Sequence, residues 1–186
     1  MPETTRRGFL LGSTSLGAAL LTAPARATLL RGLSLPALVQ LSQRILVLEP
    51  FDAVCRYAEI GGRKSIVTDT RVVVHESWAA AGDAELTLRT LGGRLDSVGE
   101  LVHGQPVLEL GVRAVAFLTL GRDQKEWWVT GMAQGHFPLS GSAETSRLLS
   151  SRGLPEIVNL ETSAVRRLVG RQLGEARELV RQARQP

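Results

Sequence analysis

The sequence predicts a mainly-β fold, a five- to six-stranded antiparallel barrel or sandwich with a short helix before it and an amphipathic helix after it. Two observations carry that reading. Runs of alternating apolar and polar residues, each bounded by turn residues, recur from Ile45 to Leu139 with no helical period between them. Helical spacing shows only before the first of these runs and after the last, which argues against an alternating α/β sheet.

Residues 1–27 stand outside that fold. Arg6 and Arg7 precede an uncharged stretch from Phe9 to Leu21, and Pro24 ends it. These thirteen residues would rise about 20 Å as a helix, short of the ~30 Å hydrocarbon core, so a secretory signal fits better than a membrane span. Ala25-Arg26-Ala27 has the small-x-small pattern of a signal-peptidase site, and cleavage there leaves Thr28 first. Thr5-Arg6-Arg7-Gly8-Phe9-Leu10-Leu11 resembles the twin-arginine (Tat) signal, with Leu11 where lysine is usual. The resemblance implies recognition through Arg6, Arg7, Phe9 and Leu10 by the Tat translocase, cleavage after Ala27 by a signal peptidase that reads Ala25 and Ala27, and export of a folded bacterial or archaeal protein to the periplasm or beyond.

The expected organisation is therefore a signal over 1–27, a β-domain over 28–142, and a linker with a C-terminal helix over 143–186. Without Arg6, Arg7, Arg26 and Glu3, the 22 basic and 18 acidic residues fall to 19 and 17, a formal charge of +2. That small surplus makes no case for nucleic-acid binding. The single cysteine, Cys55, excludes an intramolecular disulfide. If it shares a face with Phe51 and Ala53 it points to the core.

Along the chain, Leu35 to Arg44 reads as a helix capped by Ser34, with Pro36 in its first turn. Strands are expected over Ile45–Tyr57, Ser65–Trp78, Glu85–Thr90, Arg113–Leu120 and Lys125–Met132, with a short piece over Gly135–Leu139. Pro50 marks a bulge or an edge in the first. In the second, Ile66, Thr68, Thr70, Val72 and Val74 alternate with Val67, Asp69, Arg71, Val73 and His75, the period of a half-buried strand. Gly61-Gly62-Arg63 and Gly121-Arg122-Asp123-Gln124 supply hairpin turns. Leu91 to Gly111 is too long and glycine-rich for a tight hairpin, and loops of that size often carry function. From Ser163 to Arg184, Val165, Leu168, Val169, Ala176, Leu179, Val180 and Ala183 recur at helical spacing among arginines. That basic amphipathic helix can dock on the barrel, on a partner helix or on an anionic membrane surface. Gly170 and Gly174 weaken it by about 1 kcal/mol each relative to alanine.

The chemistry-bearing motifs are absent. Gly62-Arg63-Lys64-Ser65 has the tail of a phosphate-binding loop but lacks its glycine and precedes a strand. His75, His103 and His136 lack the spacing of a zinc site, and no nucleophile elbow, Cys-x-x-Cys or dinucleotide fingerprint occurs. No catalytic, cofactor or metal residue is assigned. Trp127-Trp128 on a strand sends one ring inward and one outward, and an exposed tryptophan is a frequent binding anchor. Trp78 extends that expected surface, joined by Gly92, Gly93 and His103 of the long loop.

The order of the pieces, "LPALVQLSQRI", "SIVTDTRVVVHESW", "ELTLRTLGG", "LELGVRAVAFL" and "EWWVTGMAQGHFPL", is similar to exported bacterial domains of OB-like fold in the manner of netrin and TIMP-like modules. TIMP-type inhibition needs a cysteine at the mature N-terminus, where Thr28 stands, so the resemblance implies a protein-binding barrel of the envelope. An enzyme gathering His103, Asp96 and Glu100 with Cys55 or a serine, and a cofactor-carrying Tat cargo, are the alternatives.

Overall fold

The computed structural model describes residues 29–80, 82–121, 124–141 and 145–185. The segment expected to be a signal, with Arg6, Arg7, Phe9, Leu10, Ala25 and Ala27, lies outside the described residues.

The elements run β1 (Leu30–Arg31), α1 (Leu35–Gln40), β2 (Arg44–Ile60), β3 (Arg63–Ala79), β4 (Glu85–Leu91), β5 (Gly93–Leu95), β6 (Val98–Glu100), β7 (Ala114–Leu120) and β8 (Trp127–Val129). A 3₁₀ turn over Met132–Gly135 leads into β9 (His136–Ser140) and β10 (Arg147–Leu148), then β11 (Ile157–Val158), α2 (Ala164–Leu168) and α3 (Leu173–Ala183). Ser34 caps α1 by accepting from the Ala37 N–H, as its sequence predicts. Gly61 and Gly62, at φ 58° and 79°, make the two-residue turn that joins β2 to β3.

The chain is mainly β. Seven strands form one mixed sheet in the order β10-β9-β7-β2-β3-β4-β8. This corrects the all-antiparallel expectation, because β8 runs parallel to β4 at Leu88↔Trp127 while pairing antiparallel with β7. The β2, β3, β4, β8 and β7 pairings therefore close a circuit, and β9 and β10 continue from β7 as a flank. One edge of β7 is shared: Ala114–Ala116 pair with β9, and Leu118–Leu120 with β8. The 3₁₀ turn makes that switch, and a Cβ on Gly135 would sit 2.2 Å from the Thr130 carbonyl oxygen, so only glycine fits there.

Two cores meet at this sheet. Leu46, Leu48, Ala116, Leu118, Val72 and Leu88 pack together on one side. On the other, Ile45, Val47, Val115 and Phe117 pack against residues of α1, α2 and α3. Both faces of β2 and β7 are buried here, which is why "ILVL" and "AVAFL" read as unbroken apolar runs. Register shifts between Pro50 and Asp52 place the expected bulge. At it Phe51 turns outward beneath the Arg71 guanidinium, 4.7 Å from the ring centroid; Ala53 is exposed as well and Cys55 is half-buried, so the three do not form the core face expected of them.

The expected C-terminal helix is broken. Val169 leaves helical geometry and Gly170 takes φ +83°, so residues 169–172 run along β10 instead. Leu148 donates to the Arg171 carbonyl and Gly170 to that of Leu148. Hydrogen bonding to a sheet edge thus outcompetes a helix that glycine already weakens. Both halves dock, burying Ala164, Val165, Leu168, Ala176 and Val180 in the same core as α1. No helix among the described residues is long and apolar enough to cross a membrane.

Candidate functional site

A groove of about 430 Å³ opens between the β2–β3 hairpin tip (Glu59, Ile60 and Gly61) and the β7–β8 turn, with Trp128 on its wall and Arg89 and Glu126 lining it. Alternation along β8 sends Trp127 the other way, where it packs against the core of Leu46 and Leu88 with the Arg44 guanidinium 5.5 Å from its ring. One tryptophan is thus committed to packing and the other to the groove.

Charges from four parts of the chain meet at that groove. Asp69 and Arg89 are cross-strand register partners on β3 and β4. Arg89 forks onto Asp69 through Nε and Nη2 at 2.6 and 2.9 Å, and its Nη1 reaches Glu126 Oε1 at 2.6 Å. Arg56 of β2 donates to the same Asp69 carboxylate at 2.8 Å. Burial would raise the Asp69 pKa, but the hydrogen bonds from Arg89 and Arg56 outweigh it and hold the carboxyl below the usual carboxylate range. The hydrogen bond to Asp69 raises Arg89 against the opposing effect of burial, and Glu126 adds to the rise. Both groups stay charged across the physiological range. Glu126 Oε2 is buried without a hydrogen-bond partner, so the network has one acceptor in reserve.

The other expected surface residues lie elsewhere. Trp78 packs against the helical core, and its carbonyl accepts from Arg184 of α3, so it does not extend the Trp128 wall. Gly93 sits against the β2–β3 hairpin, where a Cβ would come within 2.8 Å of Cys55 Sγ and 2.5 Å of Thr68 Oγ1. Gly92 accepts from the Thr68 hydroxyl at 2.8 Å, which leaves the Cys55 thiol to donate to Thr68 Oγ1 at 3.3 Å. The long loop is partly ordered as the β5–β6 hairpin, and Glu100 accepts from the Ile66 N–H. His103 is exposed, His75 faces Glu49, and His136 is buried with Nδ1 3.1 Å from Ser151 Oγ. Burial pushes the His136 imidazole down to about 4. Among the described residues no cluster of three or more potential ligands marks a metal site.

Sequence reasoning offered both Trp127 and Trp128 without deciding which ring faces outward, and it missed Asp69, Arg89, Glu126 and the hairpin tip. The available signal was Arg89 itself, a charge in the middle of the otherwise apolar and hydroxylic "LTLRTL". Comparisons with protein-family models, with curated proteins and with solved structures gave no match.

Proposed function

We propose that the chain is an exported, non-catalytic binding module of the bacterial envelope that holds a protein partner in the groove walled by Trp128. The observation that carries the reading is an aromatic wall beside charged groups already locked to one another. A general acid or base works best with a pKa near the operating pH, and the Asp69 and Arg89 shifts both run away from it. Such a network is suited to holding a shape and presenting hydrogen bonds, not to moving protons.

The closed circuit β2-β3-β4-β8-β7, with its one parallel contact, supports an OB-type barrel, a fold that binds ligands beside its first and last hairpin loops. The groove lies between the corresponding loops here. Export rests on the twin-arginine resemblance. Replacing Arg6 and Arg7 by lysine should retain the chain inside the cell, and unchanged export would remove that part of the reading.

A photo-crosslinking residue placed at Thr119 or Glu59 in the native host tests the groove. A discrete protein adduct is expected from both positions, lost with Trp128→Ala and missing from a control at Gln182 on α3. Equal labelling from the control, or adducts indifferent to Trp128→Ala, would refute the proposal.

A further inference from the structure

Where α2 gives way to α3, three guanidinium groups face one hollow. Arg147 of β10, Arg166 of α2 and Arg171 of the connecting segment line it together with Gly170 and Glu175. The fold does not require these charges, since α2 and α3 dock through Leu168, Ala176 and Val180, while the arginines stand exposed.

Their compensation is thin. The Glu175 carboxylate is engaged by the Gln172 N–H in the capping box of α3. Glu161 lies 3.4 Å from Arg166 Nε, but both side chains are largely exposed, and a surface pair of that kind contributes little. Arg171 makes no ion pair among the described residues. Three guanidinium groups against one lining carboxylate and one exposed pair leave the hollow with a net positive charge, so an anion entering it relieves a repulsion as well as making contacts.

The platform is also fixed. Backbone hydrogen bonds lace residues 170 and 171 to Leu148, and Arg147 Nη1 donates to the Gly170 carbonyl at 2.9 Å. That bond orients the Arg147 fork and leaves its remaining N–H groups for a ligand. Gly170, at φ +83°, turns the chain at the floor of the hollow, and the position of a Cβ there has nothing within 4 Å. Planar guanidinium forks around an open floor match the tetrahedral oxygens of phosphate, which accept charge-assisted hydrogen bonds from several sides.

We infer that this hollow is a phosphate-binding site, formed by Arg147, Arg166 and Arg171. It shares no lining residue with the groove at Trp128 and stands independently of the function proposed there. The phosphate belongs either to a free anion or to a lipid headgroup, and two probes tell them apart.

Inorganic phosphate is titrated into the folded protein while the backbone amides of Gly170 and Arg171 are followed by NMR, and vesicles of phosphatidylglycerol are compared with vesicles of phosphatidylcholine by co-sedimentation. Saturable shifts at those amides are expected, at least tenfold weaker in Arg171→Gln and in Arg147→Gln. Sedimentation with phosphatidylglycerol alone, reduced by the same variants, assigns the site to a headgroup. Phosphate binding without sedimentation assigns it to a free anion. The absence of both, or binding that both variants leave intact, would overturn the inference. Arg171 is exposed, so Arg171→Gln should unfold at the wild-type temperature, which separates a lost site from a lost fold.

Discussion

Lowering the pH from 7.5 to 4.5 should destabilise this fold through one residue, His136. The ring is 2% exposed, and burial pushes its pKa down to about 4, against about 6.5 in an unfolded chain. Between those values the unfolded chain takes up a proton that the folded chain refuses. Stability therefore falls as pH drops through about 6.5 and stops falling from this cause below about 4. A shift of that size corresponds to about 3 kcal/mol in full, and to about 2.5 kcal/mol by pH 4.5. Glu109 and Arg152, which line the pocket beside the ring, form an ion pair with each other. Urea denaturation of the wild type and of His136→Gln at pH 7.5, 6.5, 5.5 and 4.5 reads the effect as a difference of slopes, which cancels titrations common to both. A variant as acid-sensitive as the wild type, or a His136 resonance titrating near its ordinary value, would refute the reasoning.

The two adjacent tryptophans should separate in the same assay. Trp127→Ala removes a ring packed on the core and should cost about 3 kcal/mol, whereas Trp128→Ala should cost less than about 1 kcal/mol; equal losses would contradict the inward and outward assignment. Arg89→Met leaves Asp69 and Glu126 with only the half-exposed Arg56 between them, and denaturation at pH 7 should show a loss of about 3 kcal/mol. Leu168→Ala empties a fully buried position between α2 and the sheet, with an expected loss of about 3 kcal/mol. Circular dichroism should still report one cooperative melt for that variant, and a separate early helical transition would show that the helices fold apart from the sheet.

The strand positions were legible because alternation and turn residues are local signals. β2, β3, β4 and β7 begin and end within a few residues of where the pattern places them, and Ser34 and Pro36 mark the start of α1. The pairing that completes the circuit was not legible, although a barrel was one of the expected forms. It is the parallel contact Leu88↔Trp127, and nothing in either segment's own period announces a partner 39 positions away. The broken C-terminal helix failed for a related reason: residues 169–172 have another use for their backbone, supplied by Leu148, which periodicity does not register. At the groove, alternation says that one of Trp127 and Trp128 faces out but not which, because that depends on the face β8 turns to the core, and the Arg89 network is assembled by register. The strand period places Asp69 on the face opposite the Ile66 row, yet its two cations lie on β2 and β4, and Glu126 joins them from beside β8.

The short parallel ladder of β1 with β11 has a consequence for the order of events during synthesis. Leu30 and Arg31 leave the ribosome early, but the residues they pair with, Ile157 and Val158, emerge after nearly all of the sheet. The segment immediately after residue 29 therefore stays undocked until the last third of the chain is made. A prematurely terminated product would keep a loose leading segment beside a sheet that lacks its helical cover. Any transport route that admits only finished folds would have, in that late clasp, a physical difference by which to tell the complete chain from the fragment.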